Sequence, residues 1–189
     1  MSLSLVEIKN GVDLGRGNDG LLITGDGRSL MDDLESLGQS VKEYDIMSIG
    51  RSIKICPPPV KHWAMVDGPT NKWWAEHLPL VNGGSFPIRH TLGLCAGFDV
   101  IWDDGEDDGA LWYGTSALFA TLVALNLGYE KIILAGCPMD KEGHWYFGEE
   151  WKGPEWREED YQAWRDFVKL PEAKKVSSLS GFTKEVLNG

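Results

Sequence analysis

Residues 21–30 read LLITGDGRSL, and this stretch decides the fold. Four residues of β-forming, apolar character (Leu21 to Thr24) break into Gly25-Asp26-Gly27, and a helix-like segment follows with Ser29 in its first turn. A strand that ends in a glycine turn and re-enters as a helix is the opening βα step of a parallel α/β sheet. Main-chain amides at such a turn, backed by the helix dipole, form a site for phosphate or another anion. Gly25, Asp26, Gly27 and Ser29 are therefore expected at a phosphorylated ligand, joined by Gly50 and Arg51 at the exit of the next strand. A plain tight βα turn is the alternative. A nicotinamide fingerprint is disfavoured, because Leu30 stands where the third glycine belongs and residues 46–49 run into Gly50-Arg51 without a ribose-binding acid. The Walker A pattern is absent.

Outward from this turn, short apolar runs at residues 46–49, 63–66, 100–102 and 132–135 each end at or just before Gly or Asp. They read as strands buried on both faces. Helix-length segments lie between several of them: 29–37 stopped by Gly38, 71–78, and 116–127 stopped by Gly128. The series predicts a doubly wound, mostly parallel Rossmann-like sheet in one domain spanning residues 1–189. Residues 158–168 place Tyr161, Trp164, Phe167 and Val168 at helical spacing, and residues 175–179 read as a last strand. Ahead of the first unit, Asn10-Gly11 between two apolar runs predicts a short hairpin over residues 1–18. The aromatic, charged segment 141–157 reads as a loop or lid, where Trp145, Tyr146, Phe147, Trp151 and Trp156 either stack on a ligand or pack on the sheet.

Composition narrows the function classes. Lys and Arg total 18 against 29 Asp and Glu, a formal net charge of −11, which repels nucleic-acid phosphates and anionic lipid. No nucleic-acid or membrane partner is expected. The longest apolar stretch, residues 117–127, falls short of the roughly 18 residues of a membrane span. Three widely spaced cysteines without a CxxC pair suggest neither a disulfide framework nor a zinc site. Residues 1–8 lack a signal-peptide pattern, so a cytoplasmic setting is expected.

The second informative segment, residues 113–140, runs YGTSALFATLVALNLGYEKIILAGCPMD. Thr115 or Ser116 caps a long buried helix, and Gly114 before the cap permits close approach of a ligand. Capping alone also accounts for the hydroxyls. Taken together, GDGRSL, GTSA, LGYEKIILAGCPMD and the terminal SLSGFTKEVLNG resemble a group of Rossmann-type proteins. That group contains archaeal hydroxymethylpterin diphosphokinases, bacterial sialyltransferases with a single Rossmann-like domain, and short phage-encoded relatives of unknown function. The resemblance covers most of residues 21–188 and implies a nucleotide or nucleotide-sugar ligand at the carboxyl edge of the sheet, with transfer of a glycosyl or diphosphoryl group. The first turn of such proteins is usually Gly-Asn or Gly-Gly and the helix start Ser-Gly, where this chain has Gly25-Asp26-Gly27 and Ser116-Ala117.

His144 follows the strand at 132–135 in the same loop as Asp140, and a neutral imidazole suits a general base. The resemblance implies such a histidine in this region. Asp140 is the second catalytic candidate. His62, His77 and His90 have no supporting motif. Asp67, closing its strand in Asp67-Gly68-Pro69, is expected on the same edge, and Ser180, Gly181 and Thr183 are expected to form a third wall. The acidic run 103–108 mimics a calcium loop from Asp104, yet its twelfth position is Thr115 and not Glu, so it reads as a solvated turn. No metal-ligand set is expected; magnesium would enter only with a phosphorylated ligand. A non-catalytic binding or assembly protein that keeps the fold is the competing reading.

Overall fold

The computed structural model describes residues 3–66, 82, 84, 86–93, 97–103, 115–144 and 156–189. The expected helix at 71–78, Asp67, Gly114, the acidic residues 104–108 and most of the segment 141–157 lie outside the described residues.

Eight strands form one sheet: β1 (Ser4–Ile8), β2 (Gly20–Thr24), β3 (Asp45–Ile49), β4 (His62–Met65), β5 (Ile88–Leu92), β6 (Val100–Asp103), β7 (Lys131–Ala135) and β8 (Val176–Ser178). Their spatial order is β1-β6-β5-β4-β3-β2-β7-β8. Every pairing is parallel except β1 with β6. Every residue of β2 and β3 is buried, which is why both read as continuous apolar runs. The chain steps outward from β2 to β6, then returns across the sheet and lays β7 on the other side of β2. Strand order thus reverses between β2 and β7, and the exits of these two strands lie side by side.

Helices cover both faces. Helix α1 (Leu30–Leu37) ends at Gly38, whose φ of 53° releases the chain. Leu30 and Leu34 pack with Leu22, Ile46, Trp63 and Phe98 on one face. Helix α2 (Ser116–Asn126) starts on Thr115, whose hydroxyl accepts from Leu118 N (3.2 Å), and buries residues 117–124 around its whole circumference. A helix apolar on all sides needs cover on all sides. It lies on the opposite face with Ile23, Met47, Ala64, Val100 and Leu134, beside α3 (Glu158–Phe167), which contributes Trp164 and Phe167. Helix α4 (Gly181–Asn188) closes the described chain.

The structure departs from expectation at the amino end. Among the described residues no hairpin forms: β1 pairs antiparallel with β6, while Val12 and Leu14 turn inward onto the core. The Asn10-Gly11 turn does form, with Val12 N bonded to Lys9 O (3.2 Å). A lone two-stranded ribbon gains little in water, whereas adding β1 to an existing sheet satisfies a whole ladder. The strand that forms in this segment is Ser4–Ile8. Strand β5, Ile-Arg-His-Thr-Leu, was not expected, since its central polar residues mask the pattern. Among the described residues no helix is long and apolar enough to cross a membrane.

Candidate functional site

Parallel pairing carries the exits of β2, β3, β4, β7 and β8 to one edge, so residues 25–30, 50–51, 136–144 and 180–183 meet there. The glycine turn is occupied by its own chain. Gly25 N donates to Ala135 O (2.8 Å), Gly27 N to Gly136 O (2.8 Å) and Arg28 N to Gly143 O (3.2 Å). A Cβ on Gly25 would lie 2.5 Å from Gly136 O, and one on Gly27 would lie 2.4 Å from Pro138 Cδ. The glycines are therefore required by the close approach of two strand exits. The amides of Gly25 and Gly27, read from the sequence as anion donors, are spent on main-chain carbonyls, as is that of Arg28. The tight βα turn, the alternative reading, describes them.

A second group remains at the mouth of this turn. Asp26 Oδ2 accepts from Arg51 N (3.0 Å), tying the β2 exit to the β3 exit. Gly50, with φ of 58°, leaves room for that carboxylate, which would lie 2.3 Å from an added Cβ. Gly50 is also fixed from β4, donating to Met65 Sδ (3.0 Å) and accepting from Trp63 Nε1 (2.9 Å). His144 forms an antiparallel bridge with Gly27 and is half-buried. Burial lowers the pKa of His144; a hydrogen bond with the main chain of Asp26 opposes this, and the Arg51 guanidinium lowers it further. The imidazole is thus held neutral beside a cation, the state a proton acceptor needs. Asp26, Gly27, Gly50, Arg51 and His144 are brought together.

The other expected residues serve the loop itself. Ser180 Oγ donates to Asp33 Oδ2 (2.7 Å), Ser29 Oγ lies 2.8 Å from Ser180 Oγ, and Gly136 N donates to the same carboxylate oxygen (2.8 Å). Asp33 is buried and joins α1, the β7 exit and the β8 exit. Thr183, expected to touch ligand, is fully buried, and its hydroxyl donates to Cys137 O (2.8 Å). Phe182 N donates to Pro138 O (2.8 Å), and Gly181, φ 61°, passes so close that a Cβ would lie 2.2 Å from that oxygen. Gly181 and Thr183 therefore hold residues 137–138 in place, while the Ser180 hydroxyl is spent on Asp33. Asp140 accepts from Glu142 N (3.0 Å) and presents its carbonyl to Trp156 Nε1 (2.9 Å), shaping the loop that carries His144. The Thr115 hydroxyl is spent as the helix cap, and Ser116 opens α2 behind it.

Asp33 escaped the sequence reading. A carboxylate four residues after Ser29 gave the only hint. Burial pushes the Cys56 thiol up to about 11 and raises the Cys137 thiol as well, so neither is a thiolate nucleophile at neutral pH. Among the described residues no group of His, Cys, Asp and Glu is arranged to hold a metal ion. An open groove of about 560 Å³ lies at the opposite, amino edge, lined by Tyr44, Lys61 and residues 57–59. It shares no residue with the Asp26–His144 group.

No family model matches the chain, and no curated protein or solved structure does either.

Proposed function

We propose that this protein binds a phosphorylated ligand, a nucleotide or nucleotide sugar, at the carboxyl edge of a doubly wound, Rossmann-like sheet. The observation that carries this reading is the meeting of His144 and Arg51 over the β2 turn, where strand order reverses. Arg51 supplies the positive field for the phosphates that the spent amides do not. His144, neutral and hydrogen-bonded to the Asp26 main chain, accepts the proton of an incoming hydroxyl as a glycosyl or diphosphoryl group leaves its donor. Asp140 shapes the loop behind it. Such a transferase would belong with the diphosphokinase-like and sialyltransferase-like Rossmann proteins and their phage-encoded relatives, and buried free thiols at Cys56 and Cys137 suit a reducing cytoplasm.

Thermal-shift measurements with nucleoside mono-, di- and triphosphates and nucleotide sugars, with and without Mg2+, test the reading. The expected result is stabilisation by one ligand class that is lost in Arg51→Ala. A flat response to every ligand at millimolar concentration overturns it.

One observation favours a second reading, a non-catalytic binding or assembly protein. The amides of the first turn are filled by the 136–143 loop, as in a fold whose phosphate cradle has closed. Ligand binding that persists with no turnover in the wild type, and is unchanged in His144→Ala, selects this second reading.

A further inference from the structure

The face of the sheet beneath α2 contains a line of buried polar side chains that the carboxyl-edge site does not use. Trp102 Nε1 donates to His90 Nδ1 (3.2 Å). His90 Nε2 lies 3.0 Å from His62 Nδ1, and His62 Nε2 lies 3.2 Å from the Tyr129 hydroxyl. Tyr129 in turn donates to Asp45 Oδ2 (2.8 Å). His62, His90 and Tyr129 are fully buried. The line joins the starts of β3 and β4, the middle of β5, β6, and the residue before the β7 lead-in.

The two ends fix the protons between them. An indole nitrogen only donates, so His90 Nδ1 must carry a lone pair, and a neutral His90 then has its proton on Nε2. That proton points at His62 Nδ1, which must accept, leaving the His62 proton on Nε2 toward Tyr129. The Tyr129 hydroxyl accepts it and gives its own proton to a carboxylate, which only accepts. Direction is the same at every link.

We infer that Trp102, His90, His62, Tyr129 and Asp45 form a one-way hydrogen-bond relay that works as an acid-sensitive lock on the α2-covered face of the sheet. A proton added to His90 sets its Nδ1–H against the Trp102 N–H. A proton added to His62 sets its Nδ1–H against the His90 Nε2–H, and switching His90 to its other tautomer only moves the conflict to Trp102. The relay therefore cannot take up a proton without breaking a link, and a broken link leaves a buried donor without an acceptor.

Among the described residues only the Asp45 carboxylate favours a charge on His62, and it is outweighed. α2 carries no ionisable side chain. Among the described residues, the titratable and charged groups that face the two rings are Asp45, Lys61 and Tyr129, with Arg16 near Tyr129 and bonded to Gly128 O. Lys61 opposes a charge on His62, and His62 opposes a charge on His90. Burial is the largest influence on both: it holds His62 at about 4 and His90 well below 6.5. The unfolded chain therefore binds more protons below pH 6.5, so stability is full above that pH and is lost as pH falls toward 4. With two histidines involved, the folding equilibrium constant falls by up to about 100-fold per pH unit inside this window.

Long-range 15N–1H NMR of the imidazoles, on a His77→Gln/His144→Gln background that leaves only the two relay rings, tests the assignment. Both rings are expected neutral with the proton on Nε2 from pH 8 to 5, and both are expected to gain protons only as the native spectrum is lost. An Nδ1–H tautomer in either ring at pH 7, or titration of either ring near 6.5 in an intact fold, overturns it. Urea unfolding from pH 7.5 to 4.5 on the same His77→Gln/His144→Gln background, which removes the share of the also-lowered His144, gives the second readout. A slope below that of one proton overturns the lock; a slope approaching two, flattened in His62→Gln/His90→Gln, supports it. Should the His62→Gln/His90→Gln variant not fold, the slope of the two-ring background and the tautomers still decide.

Discussion

Two buried polar assemblies hold this sheet, and they are built from different materials. At the carboxyl edge, Gly181, Phe182 and Thr183 tie residues 137–138 down through main-chain carbonyls and one hydroxyl. Under α2, side chains alone run from Trp102 to Asp45. The first depends on shape, because its contacts leave no room for a single extra methyl at Gly181. The second depends on protonation, because each of its links has one allowed direction. The contrast teaches that full hydrogen bonding inside a core can fail in two separate ways, by volume or by charge.

The largest effect is expected where shape rules. Gly181→Ala forces a side chain into left-handed backbone and onto Pro138 O, and is expected to cost about 3–5 kcal/mol in urea unfolding, summing conformational strain and overpacking. A cost under about 1 kcal/mol would show that the β8 exit yields freely, and the contrast would collapse. Charge comes next. The shift of His62 from 6.5 to about 4 corresponds to roughly 3 kcal/mol of stability lost as pH falls through that window. For Asp45, burial raises its pKa, but hydrogen bonds from Lys61, Gly17, Tyr129 and Asn18 outweigh this and hold it at about 2. Its share, about 2 kcal/mol, is present above pH 3.8 and is lost between 3.8 and 2, so acid unfolding should show two separate slopes. A single transition centred near pH 4.3 would assign the loss to ordinary carboxylates.

Tyr129→Phe removes one relay member without changing its volume much, and about 2 kcal/mol is expected, since a buried His62 N–H loses its acceptor. Equal stability of this variant at pH 7 would mean the hydroxyl adds nothing to the line. The smallest effect on stability belongs to His144→Ala. The residue is half-buried and bridges Gly27 through its main chain, and its ring bonds to the Asp26 main chain, so about 1 kcal/mol is expected. Turnover, where the protein is a transferase, should then fall by about 10²–10⁴. Loss of stability as large as that of Tyr129→Phe would make His144 another structural tie.

Legibility followed burial pattern. Strands β2, β3, β4, β6 and β7 were readable because both faces are covered and their residues are nearly all apolar. Gly38 and Trp164 were readable as stop and core anchor because local chemistry fixes each role, and the cap was readable as Thr115 or Ser116, of which Thr115 serves. Strand β5 was hidden by Arg89, which pairs with Asp99 (2.7 Å), and by His90, which pairs with His62; no local pattern shows partners 10 and 28 residues away. For the same reason His62 and His90 looked idle in the sequence. In the candidate site, the spacing of Gly25 and Gly27 gave a βα turn correctly but said nothing of Gly136 and Pro138, whose approach consumes the amides. Thr183 and Ser180 were found by position, yet their partners Cys137 O and Asp33 come from other elements.

The two outermost strands, β1 and β8, hold opposite ends of the described chain at opposite margins of the sheet. Seven interstrand spacings of roughly 4.8 Å put those ends about 34 Å apart. Fluorophores attached beside Ser4 and Asn188 would therefore span the whole width of the sheet, and their energy transfer would act as a ruler for it. A circular permutant faces the same distance as an obstacle, since a linker of fewer than about ten residues, at 3.3–3.6 Å each, cannot bridge it.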